Sequence, residues 1–259
     1  MNKRGADGSA GDADHGTIGD GYARHRRPDA RIAARVTEAL GPARTVVNVG
    51  AGAGSYEPTG LDVTAVEPSS AMRAQRPPHP RPAVDAVAEA LPFADDTFDA
   101  AMTTFSVHQW RDPEAGLREL RRVARGPVVV LTCDPGRVRE FWLYDYAPGV
   151  LDTEAGRYPP IETVTRTLGG RVSVRPVPVP ADCTDGFNEA YYARPERLLD
   201  PDARQACSSW SFLTPGERDR CTAALDRDLA SGAWDRRHGS LRRQPFLLGS
   251  LTLIRAVPS

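Results

Sequence analysis

The feature that most constrains the fold of this chain is a glycine-rich turn that directly follows a short apolar run. Residues 45–49 read Thr-Val-Val-Asn-Val, and Gly50, Gly52 and Gly54 follow at alternate positions. Such a β-branched run is typical of a buried parallel strand, and glycines leave backbone N–H groups of a turn open to a ligand. The segment predicts a parallel α/β sheet with a ligand-binding turn after its first strand. An ordinary glycine turn is the alternative that this segment alone leaves open.

A second apolar run indicates what kind of ligand the turn binds. Residues 63–66, Val-Thr-Ala-Val, are followed by Glu67 and Pro68. A carboxylate at the end of the neighbouring strand is placed to accept hydrogen bonds from both hydroxyls of a ribose. The dinucleotide fingerprint has its third glycine three positions after the second, where this chain has Ser55, which counts against NAD and an oxidoreductase. We therefore expect a nucleoside in this turn.

Four segments in order resemble the cofactor half of class I S-adenosylmethionine-dependent methyltransferases of the small-molecule type. They are residues 46–54, 63–69, 88–93 and 97–110, and the resemblance extends from about residue 22 to about residue 135. It implies an α/β fold with a Rossmann-like, seven-stranded, mostly parallel sheet whose last strand is antiparallel, plus a helical cap. It also implies S-adenosylmethionine as the cofactor and methyl transfer to a small organic acceptor, at oxygen, nitrogen or carbon.

The resemblance assigns the cofactor contacts residue by residue. Tyr22 and Arg26 match a tyrosine and an arginine that often precede the first strand in this family and close over the cofactor. Met72 is flexible and apolar enough to lie under an adenine, and a plain core methionine is its alternative. The remaining expected contacts are Asn48, Gly50, Ala51, Gly52, Glu67, Pro68, Ala88, Glu89 and Thr104.

Two positions depart from the pattern of the family. Val87 stands where an acid usually accepts the adenine amino hydrogen, so adenine recognition falls to the Ala88 backbone, with help from Glu89. Asn48 replaces an acid that faces the cofactor's methionine ammonium, and a neutral amide oxygen is a weaker acceptor than a carboxylate. Both departures favour an alternative function, in which a protein of this fold binds the cofactor without methyl transfer, as a cyclase, a rearrangement catalyst or an interaction module.

His108 is the candidate general base. It follows the predicted strand at residues 98–104, and in a parallel sheet such a loop lies at the same edge as the glycine turn. Methyl transfer is an in-line displacement that needs a positioned acceptor and a base when the nucleophile carries a proton. By resemblance to some small-molecule methyltransferases, Tyr22 is the catalytic partner of His108. A histidine that only ties the loop or touches the cofactor is the alternative.

Five residues are candidates for the acceptor pocket. Gln109 and Trp110 resemble a pair in methyltransferases that act on small carboxylates. The alternative for Trp110 is that it simply covers the hydrophobic core. Trp142 and Tyr146 lie in an aromatic segment that suits either a pocket wall or the core of the cap, and Trp210 lies among the predicted cap helices. An aromatic cap without a basic surface suggests an acceptor from secondary metabolism.

The spacing of apolar residues and of helix breakers predicts the other elements. Ile32, Val36 and Leu40 recur every four residues and predict a helix that begins at Pro28. The prolines between residues 75 and 82 predict an exposed connection. Further strands are predicted at residues 83–88, 98–104, 128–132, 172–179 and 247–257, and further helices at 113–124, 161–168, 187–194, 201–210 and, after a capping box at Thr214, to residue 230.

The length and the composition suggest one domain in three parts. Residues 1–15 lack apolar periodicity and are expected to be disordered. Residues 16–136 form the Rossmann-like cofactor-binding half, and residues 137–259 add the remaining edge strands and the helical cap to the same domain. We expect this domain to be a monomer or a homodimer.

Charge and cysteine content exclude several classes of partner. The 33 Lys and Arg residues against 34 Asp and Glu residues leave a net charge of -1, which favours neither nucleic acid nor an anionic membrane. No run approaches the about 18 apolar residues of a membrane span, and no signal peptide is visible, so we expect a cytoplasmic protein. The four cysteines form no CxxC pair, which speaks against a zinc site and a disulfide framework. A small molecule is the expected partner, with no metal.

Overall fold

The structure is a computed structural model that describes residues 25–78 and 81–259. The strands are β1 (Thr45–Val49), β2 (Asp62–Val66), β3 (Ala100–Thr104), β4 (Val128–Cys133), β5 (Arg171–Pro176), β6 (Val179–Pro180), β7 (Phe246–Leu247) and β8 (Leu251–Val257). The predictions that concern Tyr22 and residues 1–15 lie outside the described residues.

The main sheet confirms the predicted α/β fold and the direction of its strands. Its order is β2-β1-β3-β4-β8-β5. The pairs β1–β2, β1–β3 and β3–β4 are parallel, and β8 lies antiparallel between β4 and β5. The carboxyl ends of β1, β2 and β3 therefore meet at one edge of the sheet, which is where the glycine turn begins.

The prediction of seven strands was wrong by one. The segment at residues 83–88, predicted as the third strand, contributes only an isolated parallel bridge between Val66 and Val84. Val84 N donates to Ala65 O at 2.8 Å and Glu67 N donates to Val84 O at 3.0 Å, and the ladder stops there. Pro82 closes the proline-rich connection just before this bridge, and proline has no N–H to extend a ladder. The main sheet thus has six strands, and β6 pairs with β7 in a separate two-stranded sheet.

The helices lie on both faces of the sheet and in the second half of the chain. Their bounds are α1 (Ala30–Leu40), α2 (Ser70–Ala74), α3 (Pro113–Val123), α4 (Pro135–Val138), α5 (Pro148–Arg157), α6 (Ile161–Leu168), α7 (Pro201–Gln205), α8 (Pro215–Ala230) and α9 (Ala233–His238). Short 3₁₀ helices occur at Val107–Gln109, Trp142–Asp145, Asn188–Tyr191, Pro195–Leu199, Ser208–Phe212 and Gly239–Arg243.

Helices α1 and α3 show why local sequence fixes the layers around the sheet. Asp29 caps α1 by accepting a hydrogen bond from Arg31 N at 2.9 Å, and Asp112 caps α3, where Pro113 occupies the first turn. The recurring apolar residues of α1 pack on one face of the sheet, and those of α3 pack on the other face. Each fully buried leucine contributes about 2 kcal/mol of transfer free energy. The fully buried leucines and valines are Val36 and Leu40 on α1, and Leu117, Leu120 and Val123 on α3.

The second half of the chain is less regular than its sequence pattern predicts. The capping box at Thr214 is present, with Thr214 N donating to Glu217 Oε2 at 2.8 Å, and α8 ends at Ala230 as predicted. The helices predicted at 187–194 and 201–210 instead consist of short 3₁₀ segments and the five-residue α7. Pro195 and Pro201 begin new segments because proline cannot continue a preceding helix.

Candidate cofactor and acceptor site

The glycine turn has a backbone that side-chain-bearing residues rarely adopt. Gly50, Gly52 and Gly54 have φ values of +69°, +50° and +99°. Gly50 N and Ala51 N donate to Val66 O at 2.9 and 3.0 Å, which ties the turn to the end of β2. The turn therefore presents bare backbone beside the last residues of two adjacent strands.

Glu67 joins the turn to the strand next to it. Its side chain is buried, with Oε2 accepting from Gly52 N at 2.8 Å and Oε1 accepting from Ser69 N at 2.9 Å. Each carboxylate oxygen has two lone pairs, so both retain acceptor capacity for a ligand. This arrangement matches the carboxylate expected to hold ribose hydroxyls.

A cavity of about 860 Å³, partly open to solvent, lies at these strand ends. Its lining brings together most of the residues that the sequence predicted as cofactor contacts. These are Arg26, Gly50, Ala51, Gly52, Glu67, Pro68, Met72, Ala88, Glu89 and Thr104. Gln109 and Trp110, predicted for the acceptor, line the same cavity. We call this space the first cavity.

The walls of the first cavity are apolar where a base would stack. Met72 lies beside the turn, since a Cβ placed on Gly52 would stand 3.3 Å from Met72 Cε. Val87 lines the cavity next to Ala88 and offers no polar side-chain atom. Trp110 closes another side, and its Nε1 donates to Ser106 Oγ at 3.0 Å. Trp110 is therefore a wall of the first cavity.

Asn48 does not line the first cavity, contrary to the sequence-based expectation. Its side chain is only 1% exposed, and its Nδ2 donates to Glu57 Oε1 at 3.0 Å. Glu57 in turn forms an ion pair with Arg76 at 2.7 Å. Side chains alternate along a strand, so Asn48 shares a face of the sheet with Val46. Among the described residues, nothing donates to its buried Oδ1.

A second cavity of about 560 Å³ adjoins the first. The two share Arg26, Phe105 and Gln109 in their linings. His108 lines this second cavity, and its ring lies 4.5 Å from that of Tyr158. The other lining residues come from distant parts of the chain and are Cys133, Glu154, Arg157, Phe187, Asn188, Ala206, Cys207, Ser208 and Ser209.

One end of the second cavity is polar. Asn188 Nδ2 donates to Glu154 Oε2 at 2.6 Å, and Ser209 Oγ donates to the same oxygen at 3.4 Å. Burial raises the pKa of the Glu154 carboxyl, while the bond from Asn188 and the charge of Arg157 act in the opposite direction. Arg157 Nη1 donates to Ser208 Oγ at 3.0 Å. The cavity thus combines aromatic walls with a carboxylate at one end.

Three residues predicted for the acceptor pocket lie elsewhere. Trp142 is buried and its Nε1 donates to Tyr192 O at 3.1 Å, with its exposed edge in a separate groove. The Tyr146 hydroxyl donates to Asp228 Oδ2 at 2.9 Å, outside both cavities. Trp210 is 2% exposed and lines neither cavity, because its ring fills the core of the second half. The aromatic residues of this region mostly stabilise packing.

A buried ion pair connects the segment before α1 to the second half of the chain. Arg26 Nε donates to Asp185 Oδ1 at 2.6 Å, and the Tyr56 hydroxyl donates to Asp185 Oδ2 at 2.8 Å. Burial raises the pKa of Tyr56 far above its usual range, so the hydroxyl remains a donor. The Arg26 guanidinium also lies 5.2 Å from the centre of the Phe105 ring. Arg26 is held in place between the two cavities.

Sequence reasoning missed several residues of this site. Tyr56 and Phe105 both line the first cavity and have φ values of +63° and +50°. A positive φ is a strained conformation for an aromatic residue, and such residues cluster at functional sites. No sequence pattern predicts where they occur. Glu154 on α5, Asn188 in a 3₁₀ helix and Asp185 just before it lie far along the chain, where local sequence gives no signal of the site.

Two kinds of feature are absent from residues 25–78 and 81–259. No group of three or more His, Cys, Asp or Glu side chains there has the arrangement of a metal site. None of the helices described within those ranges combines the length and the apolar character needed to cross a membrane.

Comparisons with known proteins agree with this geometry. Residues 47–130 match the family model of a methyltransferase domain. A 60-residue segment is 43% identical to the uncharacterized protein YafE of Escherichia coli (strain K12), covering 22% of this chain and 29% of that protein. A 106-residue segment is 37% identical to demethylmenaquinone methyltransferase of Renibacterium salmoninarum, covering 37% of this chain and 44% of that one. The chain thus spans less than half the length of these curated relatives.

A solved structure covers much more of the chain. It comes from Anabaena variabilis ATCC 29413 and is assigned as a methyltransferase from an antibiotic biosynthesis pathway. The two structures agree with a TM-score of 0.84 at 29% sequence identity, over 90% of this chain and 99% of that one. Together with the matched domain, this shows the fold of class I S-adenosylmethionine-dependent methyltransferases. The methyltransferase domain and the fold recognised from the sequence motifs are confirmed, and the comparisons support S-adenosylmethionine as the cofactor.

Proposed function

We propose that this protein transfers the methyl group of S-adenosylmethionine to a small organic acceptor, at an oxygen, a nitrogen or a carbon atom. The observation that carries this proposal is the pair of adjoining cavities, which share Arg26, Phe105 and Gln109. A cofactor in the first cavity and an acceptor in the second meet at these residues. Holding two reactants in contact is the main requirement of a displacement reaction.

The residues of the first cavity fit the cofactor. A side chain at Gly52 would enter the first cavity beside Met72, while Gly50 makes room for Ser106, whose Oγ takes the place that a Cβ would need. Glu67 keeps acceptor capacity for ribose hydroxyls. Met72 and Val87 supply apolar surface for the base. The bound cofactor supplies an electrophilic methyl group. The protein's own contribution is to bind it, to orient it toward the second cavity and to exclude water.

His108 is our proposed general base. It lines the second cavity together with Tyr158, whose ring limits the orientations that the imidazole can adopt. An imidazole there takes up the proton that a hydroxyl or amine acceptor loses on methylation. Tyr22, the predicted partner of His108, stays a prediction. A place in secondary metabolism is supported by the similarity to the protein assigned to antibiotic biosynthesis.

The first test measures binding and product separately. We expect thermal-shift stabilisation by S-adenosylmethionine and by S-adenosylhomocysteine, followed by a product one CH₂ unit heavier when the protein is incubated with the cofactor and an extract of candidate acceptors. Binding without such a product favours the alternative of a cyclase, a rearrangement catalyst or an interaction module. The side chain of Asn48 turned away from the cavity and the apolar Val87 wall are the observations that keep this alternative open.

The second test addresses His108. With the acceptor that product analysis identifies, His108→Ala is expected to lower kcat by about 100-fold or more, the usual contribution of a general base, and to change affinity little. His238→Ala is the matched control, because His238 pairs with Asp145 at 3.1 Å and lines a different groove. An unchanged kcat with weakened binding in His108→Ala makes this residue a positioning residue instead.

A further inference from the structure

The carboxylate of Glu154 is only half used by the protein. Oε2 accepts hydrogen bonds from Asn188 and Ser209, as described above. Among the described residues, nothing donates a hydrogen bond to Oε1, although Glu154 lines the second cavity. Oε1 is not one of the buried side-chain atoms that lack a partner, so it stays accessible and a ligand donor can reach it through the second cavity. Oε1 is therefore available to a ligand in the second cavity.

The orientation of Asn188 determines which oxygen of Glu154 is used by the protein. Trp210 Nε1 donates to Asn188 Oδ1 at 3.0 Å, which fixes the amide oxygen on the side of the indole. The amide nitrogen must then face the carboxylate, and it donates to Glu154 Oε2 at 2.6 Å and to Ser209 Oγ at 3.2 Å. Trp210 thus acts on the cavity indirectly, by orienting Asn188. The hydrogen-bonded chain from Trp210 to Glu154 holds one carboxylate oxygen and leaves the other available in the second cavity.

The rest of the second cavity indicates the shape of that ligand. Phe105, His108, Tyr158 and Phe187 all contribute aromatic rings to its lining. Flat aromatic surfaces favour a planar ring in stacked or edge-on contact. The second cavity is also small, because part of its volume of about 560 Å³ is open to solvent. A compact ring that carries a polar substituent apart from its methyl-accepting atom fits a cavity with aromatic walls and a carboxylate at one end.

We infer that the acceptor is a small aromatic molecule whose hydroxyl or amino group donates a hydrogen bond to Glu154 Oε1. This inference rests on the proposed function, since it takes the second cavity as the acceptor site. Glu154 selects substituents that carry an O–H or N–H donor over substituents of equal size that carry none. Glu154 is a residue that determines specificity. Its role differs from that of His108, which takes the proton of the reacting atom.

The test uses three probes of nearly equal shape on protein saturated with S-adenosylhomocysteine. They are para-fluorophenol, para-fluoroaniline and para-fluorotoluene, and their binding is followed by fluorine NMR titration. We expect the phenol or the aniline to bind at least about tenfold more tightly than the toluene, the effect of one good hydrogen bond to a charged acceptor. Whichever of the two binds more tightly identifies the substituent as a hydroxyl or an amine.

Glu154→Gln is the decisive variant. Its amide oxygen can accept from Asn188 in place of Oε2, so the amide NH₂ then occupies the position of Oε1 and donates where the carboxylate accepted. The preference for the donor probes is expected to disappear, while the affinity for S-adenosylhomocysteine is unchanged. Glu162→Gln, on the exposed face of α6, is the matched control and should keep the preference.

Three results overturn the inference. They are equal binding of the phenol, the aniline and the toluene to the unaltered protein, no binding of any of the three, and an undiminished preference in Glu154→Gln. In each case the carboxylate serves only to hold Asn188. Failure of the unaltered protein to bind S-adenosylhomocysteine is a different outcome, because it overturns the proposed function itself.

Discussion

Replacing Gly52 with valine is expected to weaken the binding of S-adenosylhomocysteine by at least about 100-fold, equivalent to about 2.8 kcal/mol. Gly52 has a φ of +50°, a conformation that is a genuine outlier for a β-branched residue. Its N–H donates to Glu67 Oε2, and the added side chain begins 3.3 Å from Met72 Cε, at the wall of the first cavity. The valine both strains the turn and occupies the ligand space. Isothermal titration calorimetry measures the affinity directly.

Gly60→Val is the matched control, which shows whether backbone strain alone weakens the binding of the cofactor. Gly60 also has a positive φ, +87°, but nothing lies within 4 Å of the position of its Cβ, and it does not line the cavity. We expect this control to lose some stability and to keep its affinity. An unchanged affinity in Gly52→Val would mean that the cofactor does not lie against this turn.

Replacing Asp185 with alanine is expected to lower the free energy of unfolding by about 3–5 kcal/mol, as is usual when one partner of a buried ion pair is removed. Asp185 is 2% exposed in its side chain and Arg26 is 13% exposed. The substitution removes the Asp185 carboxylate from the Arg26 guanidinium and takes the acceptor from the Tyr56 hydroxyl. It also releases Arg26 from its position between the two cavities. Urea denaturation followed by circular dichroism measures the loss.

A second aspartate three residues earlier provides the matched control. Asp182 pairs with Arg31 at 2.7 Å, but the two side chains are 80% and 53% exposed. Exposed ion pairs contribute about 0–1 kcal/mol, so Asp182→Ala should change stability little. Equal and small losses in the two variants would show that the Arg26–Asp185 pair does not connect the two halves of the chain.

The sequence predicts the first cavity well because its residues are local to strand ends. Gly50, Glu67, Ala88 and Thr104 each come at or just after the carboxyl end of a strand, or in the segment beside β2, and parallel strands bring such positions to one edge. Knowing the order of the strands is therefore enough to place these residues together. The loss of the third strand changes little, because the single bridge at Val84 still positions Ala88.

The second cavity is not predictable in this way. Glu154 lies on α5, Asn188 in a 3₁₀ helix and Ser209 in another, and only tertiary packing brings them together. The aromatic density around Trp142 was the strongest signal in this half of the sequence, and it marks a buried cluster with Trp234. Apolar and aromatic patterns describe burial equally well for a core and for a pocket, so they do not locate the acceptor site.

The central claim is that the first cavity holds the adenosyl group of the cofactor, and a crystal structure grown with S-adenosylhomocysteine tests it most directly. We expect density for the nucleoside along the backbone from Gly50 to Gly52, with both ribose hydroxyls within hydrogen-bond distance of the Glu67 carboxylate and the sulfur facing the second cavity. Density for the ligand at any other place, or a cavity that remains without ligand at saturating concentration, would contradict the account.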